Sequence, residues 1–189
     1  MLFAQSGHAG VGMRQVAERA GLSKSALFHH FPTKLSLYAA VHIRALQHIE
    51  ARLESAAPCQ ADPMEQLEVW IDTLVDTFAE RQHLAPLLLR ALFEAEPLDA
   101  ADLAHHTQLM GLVLGRVGDC LKEGMATGRF RQVSVKQTLQ TLIGMVVYHF
   151  ASGDFGDDLM GESIYAPEQV QQRKQHVIEL MRRNLLLDA

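Results

Sequence analysis

MRQVAERAGLSKSALFHHF, residues Met13–Phe31, is the stretch whose reading decides the fold. It has the parts of two short helices packed across a tight turn, the helix-turn-helix. Ala17 is small enough to let the second helix approach closely. Gly21 can take the left-handed conformation that the turn requires. Ser23 offers a side-chain oxygen to the free amides that open the second helix. Val16, Ala20, Leu22, Leu27 and Phe31 fall where a shared core needs apolar groups. The other face of the second helix carries Lys24, Ser25, Phe28 and His29, a polar and aromatic surface of the kind that enters a major groove. Of the adjacent His29 and His30, His30 is the one expected to pack inward.

Working outward, helix breakers divide the rest of the chain. A glycine-rich loop, Ser6–Gly12, precedes the motif. Phe31-Pro32-Thr33 closes it, and Thr33 can cap a long helix running to about Ser55. The inward stripe of that helix is Leu35, Tyr38, His42, Leu46, Ile49 and Leu53. Ala57–Pro63 reads as a domain boundary, giving a head over 1–55 and a body over 56–189. In the body the apolar spacing predicts five helices, over about 63–80, 84–95, 99–126, 134–152 and 167–187. Ser152–Asp158 is read as a stop between the last two. Alternating strand patterns are absent, so the fold class is all-α: an N-terminal helix-turn-helix domain of three helices, then a helical bundle for effector binding and dimerisation.

The net charge of −5 hides an asymmetry. Residues 1–53 carry +4 and five of the ten histidines, while residues 54–189 carry −9. A basic head on an acidic body points to a head that meets a polyanion. No apolar run reaches the length of a membrane span and no signal peptide is read at the N-terminus, so a cytoplasmic protein is expected. Cys59 and Cys120 sit far apart without a pairing motif and are read as reduced thiols. Dinucleotide-loop, phosphate-loop, nucleophile-elbow and zinc-helix motifs are absent. His105 and His106 point about 100° apart on a helix and make a poor shared metal site. No enzyme, no cofactor and no metal are therefore expected.

Residues Val16–Lys24 and Leu27–Lys34, VAERAGLSK and LFHHFPTK, resemble the signature of the TetR family of transcriptional regulators, within a match of about 40 residues from Leu2 to Val41. The resemblance implies a recognition helix over Lys24–His30. It implies that Lys24, Ser25 and His29 reach bases or phosphates and that Lys34, opening the next helix, meets the DNA backbone. Arg14, Phe28 and Thr33 complete the implied DNA-binding set, with solvent or Glu18 as the plainer partner of Arg14. Three positions depart from the family pattern: Phe28 stands where Tyr is frequent, Gly12 where a Ser or Thr caps the second helix, and Ala26 where Thr is frequent. The family also has a first helix of several turns, whereas only Met1–Gln5 precede the loop here. On that pattern either the start lies upstream of Met1 or the head is loosely held.

The body offers two expectations. Trp70, Leu74, His106, Met110, Met145 and His149 are candidates to line a site for a small apolar effector, because each histidine interrupts an apolar stripe and the methionines adapt to irregular shapes. The plainer reading gives both histidines ordinary neighbours and leaves the methionines as core. Apolar residues on two sides of the 134–152 helix suggest a second subunit: Leu139, Ile143, Val147 and Phe150 would face Val177, Leu180, Met181 and Leu185 in a homodimer on a pseudo-palindromic operator. The plainer reading places these faces in the monomer core. By family analogy the function is a sequence-specific DNA-binding regulator, a repressor released by a small molecule. A helical enzyme and a protein-binding adaptor are the readings from other classes, and salt-dependent retention on DNA separates them.

Overall fold

The computed structural model describes residues 1–56, 62–93 and 100–187. The head contains α1 (Leu2–Ser6), α2 (Met13–Ala20) and α3 (Lys24–His30), and α4 (Lys34–Ala56) runs from it into the body. The body holds α5 (Pro63–Glu80), α6 (Leu84–Phe93), α7 (Ala100–Ala126) and α8 (Val135–Ile143). A π-helical turn, Gly144–Tyr148, continues α8 into α9 (His149–Ala151); α10 (Asp154–Met160) and α11 (Pro167–Leu185) follow. No strand occurs among the described residues; Phe130 and Leu186 form an isolated antiparallel bridge.

The helix starts follow from capping. Thr33 Oγ1 accepts from the Ser36 N–H at 3.0 Å, and Ser36 Oγ accepts from the Thr33 N–H at 3.2 Å, a reciprocal box that opens α4. Asp62 accepts from the Met64 N–H at 2.9 Å ahead of Pro63, which stands in the first turn of α5. Most of the predicted domain boundary, residues 57–61 with Cys59, lies outside the described residues, as do the predicted helix ends within 94–99.

In the body α4 and α7 lie side by side with α5 packed on both, and α11 covers the outer side of α5. Val75, Leu53 and Leu121 are fully buried where these helices meet. Close packing fixes the end of α7: a Cβ on Gly124 would lie 2.1 Å from the Phe130 ring, so only glycine fits there. Cys120 is buried in the same region, and its thiol donates to the Pro63 carbonyl. Burial first, then Glu123 and Asp62, push that thiol up to about 12, so it stays protonated and unreactive.

Two features depart from the sequence reading. The segment read as a stop after 152 contains α10, whose Asp157 carboxylate accepts from the Ile164 N–H at 2.7 Å and so closes the loop behind it. The helix over 134–152 is also not uniform. Its π turn takes one extra residue per turn, and Arg173 from α11 donates to the Met145 carbonyl inside it.

Candidate nucleic-acid interface and ligand cavity

The head assembles as the motif requires. Gly21 sits at φ 68°, and the Leu22 N–H returns to the Ala17 carbonyl at 2.9 Å. Ser23 Oγ accepts from the Ala26 N–H at 3.1 Å, which starts α3. Ala17 and Leu27 are buried between the two helices, with Val11 and Phe3 beneath them. Ala20 and Leu22 do not join this core. They flank the left-handed turn, which directs them to solvent, and Leu22 is 45 % exposed. His30 is exposed too, its ring 5.5 Å from that of His29, rather than packed inward.

The outward face of α3 presents Lys24, Ser25, Phe28 and His29 together. Lys24 Nζ lies 5.5 Å from the centre of the Phe28 ring, and Ser25 Oγ is 3.0 Å from Ser23 Oγ. Phe28 is 37 % exposed, which fits a groove-facing position better than a core one. Lys34 is half-buried at the start of α4. Neither lysine has an ion-pair partner among the described residues. Arg14 differs: its Nε donates to Glu18 at 2.9 Å along α2, and the Thr33 hydroxyl is engaged by its cap.

The head is tied to the body at two places. Arg90 of α6 donates from Nε to the Ala4 carbonyl and from an Nη to the Gln5 carbonyl, both at 2.9 Å. On α4, Tyr38 meets Phe3 edge-on at 5.1 Å and His42 at 4.4 Å between ring centres.

His42 opens onto a cavity of about 520 Å³ between α4, α5, α7 and the α8–π segment. Trp70, Leu74, His106 and Met110 line it, as the sequence predicts. Met145 and His149 do not. Met145 offers its carbonyl to Arg173 of α11, and His149 is buried edge-on against Phe150 at 4.9 Å. The sequence reading missed Tyr38 and His42 as lining residues. The signal was present, since His42 interrupts an apolar stripe on α4 just as His106 does on α7. The walls are otherwise almost wholly apolar. The buried Trp70 indole N–H has no hydrogen-bond acceptor among the described residues.

The predicted subunit faces turn inward instead. Leu139, Ile143 and Val147 line the cavity, and Phe150 is fully buried near Phe78 and Tyr165. Val177, Met181 and Leu185 are buried on the side of α11 that packs on α5. Of the eight, Leu180 alone is well exposed, at 40 %. The wide apolar face of α8 therefore walls a cavity, where periodicity alone reads it as meeting a partner.

His149 gives a pH prediction. Burial first, then Arg173, lower it from 6.5 to about 4. The unfolded chain takes up this proton near pH 6.5 and the folded chain refuses it, so stability is full above about pH 6.5 and is lost as pH falls toward about 4. The midpoint of thermal unfolding should drop between pH 7 and pH 5, and His149→Gln should make that drop smaller. An equal drop in both proteins refutes the assignment.

Among the described residues no helix is long and apolar enough to cross a membrane, and no group of three or more His, Cys, Asp or Glu side chains is placed to hold a metal. Residues 1–41 match the model of bacterial regulatory proteins of the tetR family, and residues 63–181 match a tetracyclin repressor-like C-terminal domain. The HTH-type transcriptional activator FasR of Mycolicibacterium smegmatis is 28 % identical over 107 residues, 57 % of this chain and 49 % of FasR. The HTH-type transcriptional repressor KstR of the same organism is 27 % identical over 115 residues, 61 % of this chain and 56 % of KstR. The chain thus spans about half the length of the curated relatives it matches. Among solved structures, Bacillus subtilis FadR in complex with stearoyl-CoA superposes with a TM-score of 0.74 at 17 % identity, over 95 % of this chain and 91 % of FadR.

Proposed function

The chain belongs to the tetR family of bacterial regulatory proteins, and from that premise we propose that it is a sequence-specific DNA-binding transcription regulator, a cytoplasmic repressor released by a small apolar molecule. One observation carries the reading. The apolar cavity is walled by Tyr38, His42 and Leu46 of α4, the same helix that Lys34 opens just after α3. A ligand that moves α4 moves the lysine. Lys24, Ser25, Phe28 and His29 face the groove, and Lys34 meets a phosphate at the N-terminus of α4. Arg14 and Thr33 stand at the edge of this contact. A ligand shifts the DNA equilibrium only if it binds the DNA-incompetent arrangement more tightly.

The cavity favours an apolar ligand with a polar end, for which His42 and His106 stand on α4 and α7. FadR, bound to a fatty acyl thioester, is a fold-mate with a ligand of that character. The operator is a pseudo-palindrome read by a homodimer. Its subunit contact is assigned to exposed apolar groups, Tyr148 on the π turn and Leu180 on α11, with the outward side of α8.

The test begins with selecting a duplex from a random pool at low salt. Sedimentation should show two chains per selected duplex. Long-chain acyl thioesters and sterols should quench or shift the fluorescence of Trp70, the only tryptophan, while releasing the duplex. A protein that selects no sequence refutes the DNA reading. One that selects DNA but answers no apolar ligand refutes the effector reading.

A further inference from the structure

A second cavity, of about 390 Å³, lies on the other side of α4 and α6, where the head meets the body. Unlike the first, it mixes apolar walls with a cluster of basic side chains. Arg44 and His48 reach it from α4, and Arg81 and His83 from the corner between α5 and α6. No acidic side chain lines it. Neither arginine has an ion-pair partner among the described residues. The carboxylate nearest in influence is Glu80, and Arg52 already holds it at 2.9 and 3.3 Å. The buried Nε2 of His48 has no hydrogen-bond partner among the described residues. Burial first, then Arg81, Arg52 and Arg44, lower His48 against the opposing pull of Glu80, so this positive charge is left unbalanced.

Two guanidinium groups without an ion-pair partner among the described residues, beside two imidazoles, ask for an anion. Guanidinium forks match the paired oxygens of phosphate. We propose that this second cavity is a regulatory anion site, taking the phosphate or diphosphate end of a small molecule and coupled to the apolar cavity and the DNA face through α4 and α6.

The shared walls supply the coupling. On α4, Tyr38, His42 and Leu46 face the apolar cavity while Val41, Arg44 and His48 face the cationic one. On α6, Leu88 and Ala91 face the first and Leu84 and Leu87 the second. A group filling one side sets the position of helices that shape the other, and such linkage is reciprocal.

The experiment titrates the full chain, at constant ionic strength, with inorganic pyrophosphate and separately with ADP, by calorimetry. Saturable binding at one site per chain is expected. Arg44→Gln with Arg81→Gln should weaken it by about tenfold or more, because charge-assisted contacts are the strong ones. Arg183→Gln, which alters an arginine paired to Glu179 on α11, should leave it unchanged. Both cavity arginines are exposed, so neutral replacements spare the core; should the double variant unfold, Arg44→Gln alone reads the same loss. Equal affinity for the two probes means that the phosphate end suffices, and tighter ADP means that the organic part is also held; either result supports the site. Absence of saturable binding, or an equal loss in Arg183→Gln, overturns it. Coupling is read as a change of about fivefold or more in operator affinity when pyrophosphate saturates. That arm rests on the proposed DNA function, and the calorimetric arm does not. Binding without any change in operator affinity overturns the coupling.

Discussion

Replacing Lys24 and Lys34 together by alanine should lower affinity for the selected operator by about a hundredfold at moderate salt. A hydrogen bond to a charged group contributes about 1.5–3 kcal/mol, and about 1.4 kcal/mol is tenfold. Neither lysine has an ion-pair partner among the described residues, so each is available to DNA. Their roles should separate. Lys34→Ala should weaken binding alike on all sequences and reduce the log–log salt slope by about one. Lys24→Ala should also blur base preference, because Lys24 lies beside Ser25 and Phe28 on the groove face. Arg14→Ala should have a smaller effect, since its guanidinium is engaged by Glu18 at 2.9 Å. Filter binding across a salt series decides. If the double variant keeps both affinity and slope, the head contacts DNA by some other face or not at all.

Val147→Trp should leave DNA binding and subunit association intact and weaken the response to the apolar ligand. Val147 is half-buried and lines the large cavity from the π turn. An indole placed there takes the space a ligand would fill. Forcing both into it should cost about 1–3 kcal/mol of ligand affinity, up to about a hundredfold. The same variant separates two roles for one residue. If Val147 met a second subunit, a tryptophan would disturb the dimer and leave the ligand response alone. Sedimentation and ligand-driven release of DNA, measured on the same preparation, distinguish the outcomes. A dimer that dissociates while its ligand still binds refutes the cavity assignment.

The head was legible because each of its parts is a local device. Gly21, the Ser23 cap, Ala17 and the Thr33 box act within four residues of sequence, and each appears where it was read. Helix limits in the body were legible for the same reason, as at Pro63 and Leu84. The destination of an apolar face was not. Leu139, Ile143 and Val147 look alike whether they meet a partner, a core or an empty space, since periodicity records that a face is apolar and not what covers it. The π turn was hidden because the partner that satisfies its displaced Met145 carbonyl, Arg173, lies 28 residues away. The cationic cavity was hidden too: Arg44, His48, Arg81 and His83 are scattered through helices and a corner, and only the fold gathers them.

Arg90 has a kinetic consequence. Helix α1 spans five residues, far too short to persist alone, and its last carbonyls are held from 85 and 86 positions along the chain. The segment that braces α2 and α3 therefore settles only after α6 is in place. Contacts of such long span slow folding, because the loop must close before they form. The support beneath the helix-turn-helix is thus complete only when α6, about 85 residues further along, has docked against it.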